Sequence, residues 1–229
     1  MRSHLFRAMA AGGVAALLVA GLGTGAGAVP SLSPGIAHTG GAHVLVRPSA
    51  LKSLYDQNDL DQGIGIVSEN FGEPMFAIYD AQGADDFTVP SGTQWKVKEV
   101  DVTGVYFNGS GPAKSETVTF YTDKHGKPGR IKQGPFTLKC ADNFGSFKCT
   151  LPTRVKLKSG TWWVSLTTDL DFSQGGEWGW YTNATVQGNE AVWEDPGGDS
   201  CTTWTPLHVC FGGSPSDLAF QLLGRAVSN

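Results

Sequence analysis

Basic residues are scarce in this chain once its first 28 positions are set aside. The full sequence holds 17 Lys and Arg against 21 Asp and Glu, and two of the basic residues are Arg2 and Arg7. The remainder therefore carries a net charge of about −6, which argues against nucleic acid and against an anionic membrane surface as partners, since both select for basic patches. Apolar runs are short as well. Beyond Leu22 none approaches the ~18 residues of a membrane span, and no hydrophobic tail precedes Asn229. Histidine past residue 28 is confined to His38, His43, His125 and His208. No G-x-S-x-G elbow, H-E-x-x-H, P-loop or EF-hand spacing occurs. No internal repeat points to a propeller or solenoid. Amphipathic helical periodicity is missing too; only 51–60 could hold a single helical turn.

The opening 28 residues fix the compartment. Arg2 and Arg7 form a basic start, residues 8–22 are almost wholly small and apolar, and Ala26-Gly27-Ala28 makes a small-x-small cleavage site. That pattern predicts a secretory signal peptide over 1–28, cleaved near Ala28, and hence a secreted protein, extracellular or periplasmic. Residues 29–50 are rich in Gly, Ser, Pro and Ala and read as a flexible leader with one short strand at 43–47. A single domain is expected over 51–229.

Cysteine is sparing but even in number: Cys140, Cys149, Cys201 and Cys210. In an exported chain that reads as disulfides. Three pairings are open to four cysteines. The favoured one is Cys140 with Cys149 and Cys201 with Cys210, because each pair encloses turn formers or a Pro and staples its own loop. A zinc site of four thiolates is the weaker alternative, since zinc ligands are usually two to four residues apart.

The rest of the chain reads as strands and turns. Strands are expected at 84–89, 95–107, 116–122, 136–140, 147–151, 154–158, 161–168, 178–181, 190–193 and 218–223. Within 95–107 the alternation changes phase near Lys98 and Glu99, as a β-bulge would make it. Segments 136–140 and 147–151 read as a hairpin closed by Asp142-Asn143-Phe144-Gly145. Long connections at 108–115, 123–134, 169–177 and 194–216 suit Greek-key crossovers. The fold class is therefore all-β: an antiparallel β-sandwich, jelly-roll-like.

The order of several motifs carries a resemblance. Tyr55-Asp56-Gln57, Ala84-Asp85-Asp86-Phe87-Thr88-Val89-Pro90, Gly92 and Trp95 are followed by Pro128-Gly129, Gly160-Thr161-Trp162-Trp163-Val164-Ser165, Trp178-Gly179-Trp180 and Asp217-Leu218-Ala219-Phe220. Together, over about residues 51–224, they resemble a family of exported bacterial modules. The resemblance implies a jelly-roll β-sandwich, similar in architecture to carbohydrate-binding and convertase-type P-domain sandwiches, of a kind often appended to larger secreted or surface proteins. It implies no particular activity.

Seven Trp is many for one domain, and six of them lie at or beyond Trp162. Trp178 and Trp180 share a strand face, so two indoles could form a platform for sugar rings. Trp162 alternates with Val164 and Leu166 and reads as core. Trp163 points the other way and is the better candidate for exposure. Trp163, Trp178 and Trp180 are thus the candidate ligand-binding residues, and Trp193 and Trp204 are placed to cover the second disulfide. Asp85 and Asp86 should point to opposite sheet faces, and Asp217 could approach them from the last strand. Such a cluster would suit a structural Ca²⁺, which takes six to eight oxygens. Glu177, Glu190 and Glu194 are the carboxylates that could serve as a catalytic pair. The sequon Asn108-Gly109-Ser110 marks a turn. The leading functional reading is a secreted non-catalytic binding or accessory module whose partner is a glycan or a surface protein. The alternatives are a structural or assembly protein of the cell surface or matrix, and a glycan-active hydrolase or lyase.

Overall fold

Two strands far longer than the rest organise the domain. A computed structural model of the chain describes residues 50–58 and 64–228; the expected signal peptide, the expected leader and strand at 43–47, His38 and His43 lie outside the described residues. In chain order the strands are β1 (Lys52–Asp56), β2 (Gly65–Val67), β3 (Glu69–Phe71), β4 (Gln82–Val102), β5 (Gly104–Phe107), β6 (Ser115–Asp123), β7 (Pro128–Leu138), β8 (Ala141–Asn143), β9 (Ser146–Leu170), β10 (Glu177–Asn183), β11 (Val192–Glu194), β12 (Thr205–Pro206), β13 (Asp217–Leu218) and β14 (Phe220–Ser228). Two short helices, α1 (Phe172–Gly175) and α2 (Leu207–Phe211), interrupt them.

Strands β4 and β9 pair antiparallel over nearly their whole length, and the paired ribbon folds over on itself. Phe87 and Trp95 both belong to β4, yet their rings stack 6.0 Å apart and nearly parallel, at 3°. In a straight strand, positions eight residues apart would be separated by about 26 Å. The fold falls where the ladder shifts between Val89 and Gln94, at Pro90 and Gly92, with Gly160 opposite. Gly92 and Gly160 both adopt positive φ, which a residue with a Cβ adopts only under strain. The two halves of the ribbon thereby become the centres of two facing sheets. One half carries β6 and then β7 on the β9 side and β11 on the β4 side; the other carries β14 and then β1 on β4, with β8 on β9. The result is the antiparallel β-sandwich the sequence predicts.

The core between the sheets is built from alternate residues: Val97, Val100, Val118, Val155, Val164 and Leu222 are all fully buried. The predicted phase change is real. The ladder shifts between Val97 and Glu99, so that Val97 and Val100 both reach the core despite their odd spacing. A separate four-stranded sheet of β13-β10-β2, with β5 also on β10, packs its aromatic side chains against the same core. Both disulfides form as favoured, Cys140–Cys149 and Cys201–Cys210. Each closes a nine-residue separation and should stabilise the fold by roughly 2–3 kcal/mol. Two disulfides suit an oxidising compartment.

Four local expectations are corrected. Segment 51–60 holds no helical turn among its described residues; it holds β1, which hydrogen-bonds along β14. The connection expected at 123–134 is largely strand β7, because Phe136 and Leu138 align with Val118 and Glu116 of β6. The hairpin into β9 is therefore made by Ala141–Asn143 and not by 136–140. Finally, 95–107 is broken at Thr103, and its last residues form β5 in the other sheet.

Candidate functional site

The tryptophans named as candidate ligand-binding residues are interior. Trp163, Trp178 and Trp180 are 0% exposed. Trp178 and Trp180 do share a face, with ring centroids 6.3 Å apart, but that face is the core. There Trp178 tilts against Phe147 and Trp180 meets Phe220 edge-on. Their indole N–H groups are spent on backbone carbonyls, Trp178 Nε1 donating to Gly145 (2.7 Å) and Trp180 Nε1 to Ala219 (2.8 Å). Trp163 does point away from the main core, as its alternation requires, but a second small core with Ala84, Tyr121 and Val192 covers it. The cover comes from β11 and the stapled segment beyond it, with Trp204 packed alongside. Trp193 lies against Phe211, beside the second disulfide, as expected. None of these rings offers a sugar-stacking platform.

Asp85 and Asp217 do approach each other. Burial pushes the carboxyl of Asp85 well up from its usual range, and the charge of Asp217 adds to that. Asp217 itself is pushed up to about 7, mainly by burial. Asp85 accepts three N–H groups: Gln57 Nε2 (2.6 Å) and the Leu218 amide (2.7 Å) on Oδ2, and the Asp86 amide (2.7 Å) on Oδ1. Asp217 Oδ2 accepts the Gln187 amide at 2.6 Å. Asp86, expected on the opposite face, is also buried, and it accepts the amide and the side chain of Asn189 (2.9 and 3.2 Å). The network fastens β1, β4, β13 and the 184–191 loop to one another. Five of the six carboxyl oxygens of Asp85, Asp86 and Asp217 already accept N–H groups, while the buried Oδ1 of Asp217 has no partner. Among the described residues no three acidic, His or Cys side chains converge as a metal site.

Glu177, Glu190 and Glu194 are each engaged by a partner of their own. Glu177 accepts Asn108 Nδ2, and Glu190 accepts both the amide and the ring of His208. Glu194 is raised by burial and bonded by the Trp204 amide. Asn108 has φ +56°, so the sequon does sit at a turn. His125 is exposed in a turn of the same hand.

A concavity lies elsewhere, beside the tip of the β8–β9 hairpin. A pocket of about 330 Å³ is lined by Asn58, Asp101, Thr103, Asp142, Lys148 and Gln221, among others. Asp101 is its distinctive member. It stands between Val100 and Val102 on the outer side of β4, 8% exposed, and its Oδ1 has no hydrogen-bond partner. Its other oxygen lies 3.6 Å from Lys148 Nζ. Burial and the neighbouring Glu99 push its carboxyl up to about 6, although Lys148 pulls the other way. At the hairpin tip, next to Asn143 of the lining, Phe144 is 90% exposed at φ +54°. The tip is held by the disulfide Cys140–Cys149 and by Asp142, which accepts the Gly145 amide (2.8 Å) and the Tyr106 hydroxyl (2.9 Å). The sequence reading missed this site. A lone Asp between two core valines reads as an ordinary outward residue, and Phe144 reads as part of a turn.

No family model matches the chain and no curated protein matches it. Among solved structures the domain is similar to the crystal structure of the cysteine protease and lectin-like domains of Cwp84, a surface layer associated protein of Clostridium difficile. The identity is 10% and the TM-score 0.40 over 65% of this chain, which spans about a third (32%) of that structure.

Proposed function

We propose that the domain is a non-catalytic binding module, exported from the cell, that holds a hydroxyl-bearing glycan in the pocket beside the β8–β9 hairpin. The observation that carries this reading is the buried Oδ1 of Asp101, which has no partner within the protein. A buried acceptor without a donor costs about 1–3 kcal/mol; this oxygen is closed to solvent, so a ligand hydroxyl would supply the donor only by displacing part of the lining. The rest of the lining supports the same chemistry. Side-chain amides, carboxylates and a hydroxyl present both donors and acceptors, as a sugar requires. Phe144 offers an exposed ring at the rim for a sugar C–H face. The disulfide and the Asp142 bonds hold the rim in place before binding, which lowers the ordering cost of association.

The test is calorimetric titration of the full chain with soluble neutral polysaccharides, a glucan, a xylan and a mannan, beside its Asp101→Ala variant. The expected result is saturable binding to one of them, weakened about tenfold or more in the variant, with a melting temperature that is unchanged or raised. The melting temperature should hold because the substitution removes an unsatisfied group. Unchanged affinity in Asp101→Ala, or binding to none of the three, overturns the reading.

A further inference from the structure

We propose a second binding site, independent of the pocket: a cationic strip on the outer face of β14, β4 and β9 that takes an acidic polysaccharide. Strand register builds the strip. Lys156 of β9 stands directly opposite Lys96 of β4, and Lys96 stands opposite Arg225 of β14. Their strand neighbours Trp95, Val97, Val155 and Leu157 are buried in the core, so the cations point to solvent. Three positive side chains thus stand in one row across strands about 4.8 Å apart. One row along, Lys158 faces Gln94. Lys98 and Arg154 extend the strip on the other side. A groove of about 630 Å³ runs through it, lined by Lys96, Lys98, Pro152, Thr153, Arg154 and Lys156.

Nothing in the fold accounts for this arrangement. Like charges directly opposite across a ladder destabilise it. Yet the ion pairs among the described residues belong to Lys114, Lys148 and His208, and none involves a member of the strip. Lys98 alone has an internal role, its Nζ donating to the carbonyls of Leu151 and Pro152 beside the bulge. Six of the 14 Lys and Arg from Lys52 onward are gathered here, in a sequence with an overall acidic balance.

The chemistry of the strip favours a narrow, sparsely charged chain. Glu99 and Asp101 follow directly on the same face of β4, so the positive field is bounded on that side. A nucleic acid duplex carries one negative charge per ~1.7 Å of axis, and its broad footprint would extend over those acids. Single-stranded nucleic acid gains much of its affinity by stacking bases on aromatic rings. The groove is lined by none. A polyuronate or similarly acidic glycan needs only spaced cations and a polar floor, with Thr153 and Pro152 supplying the floor.

The experiment titrates the full chain with polygalacturonate at low and at raised salt, beside the double variant Lys96→Glu/Lys156→Glu and the control Lys124→Glu/Arg130→Glu. The control makes the same change in net charge away from the strip. The expected result is binding that weakens with salt, falls about tenfold or more in the strip variant and survives in the control. Absence of binding, or equal losses in both variants, overturns the proposal. So does tighter binding of a DNA oligonucleotide of matched charge. The glycan pocket is read separately through Asp101→Ala and the neutral polysaccharides, so either site can fail while the other stands.

Discussion

Six acids of this protein are kept inside while its described bases stand outside, and the two groups behave differently. Glu69, Asp85, Asp86, Asp101, Glu116 and Asp217 are buried, whereas no Lys or Arg is buried among the described residues. The buried acids are held largely by N–H donors, and burial pushes each of them toward the neutral form. The cations of the β14-β4-β9 face have no carboxylate to meet and stand against one another. Six buried acids leave the exposed surface less acidic than the composition suggests, and a positive strip can exist on it. Net charge is a property of the sequence; the field a partner meets is a property of where the fold puts each charge.

The contrast can be broken most severely from the inside. Replacing Asp85 with Ala leaves the amides of Leu218 and Asp86 without their acceptor and Gln57 Nε2 with the Leu218 carbonyl alone. Each orphaned donor costs about 1–3 kcal/mol, so chemical denaturation should show a loss of about 3 kcal/mol or more. A milder change sharpens the comparison. Glu69 accepts the Trp178 amide on one oxygen, its other oxygen has no partner, and burial raises its carboxyl from the usual 4.5 to about 9. Between those two values the folded chain keeps a proton that the unfolded chain has lost. Its contribution to stability is therefore complete below about pH 4.5 and is lost as pH rises toward 9. Glu69→Gln should match the parent in mild acid and exceed it near pH 8, flattening that slope in denaturation series at several pH values. The smallest effect comes from outside: Lys96→Glu places one acid between Lys156 and Arg225 and should stabilise by roughly 0.2–1 kcal/mol.

What the sequence made legible was local. Spacing pointed to the disulfides, and the odd step from Val97 to Val100 gave away the bulge. Alternation correctly placed Trp178 and Trp180 on one face and turned Trp163 away from Val164 and Leu166. It could not say what covers a face. Trp163 is buried by Tyr121, Val192 and Trp204, which reach it only through long-range pairing. The folding of β4 that stacks Phe87 on Trp95 was equally hidden, because 84–89 and 95–107 read as separate strands. Both proposed sites depend on register between distant segments. Lys96 and Lys156 are far apart in the chain and meet only in the β4–β9 ladder. The orphaned oxygen of Asp101 exists only because its neighbours bury it.

The most direct test of an outer face charged for a ligand and not for the fold is Lys96→Glu, followed by melting temperature and by polygalacturonate affinity. An unchanged or raised melting temperature together with weakened binding is the predicted result. A lowered melting temperature with binding intact would contradict it, and would make the row of cations part of the scaffold.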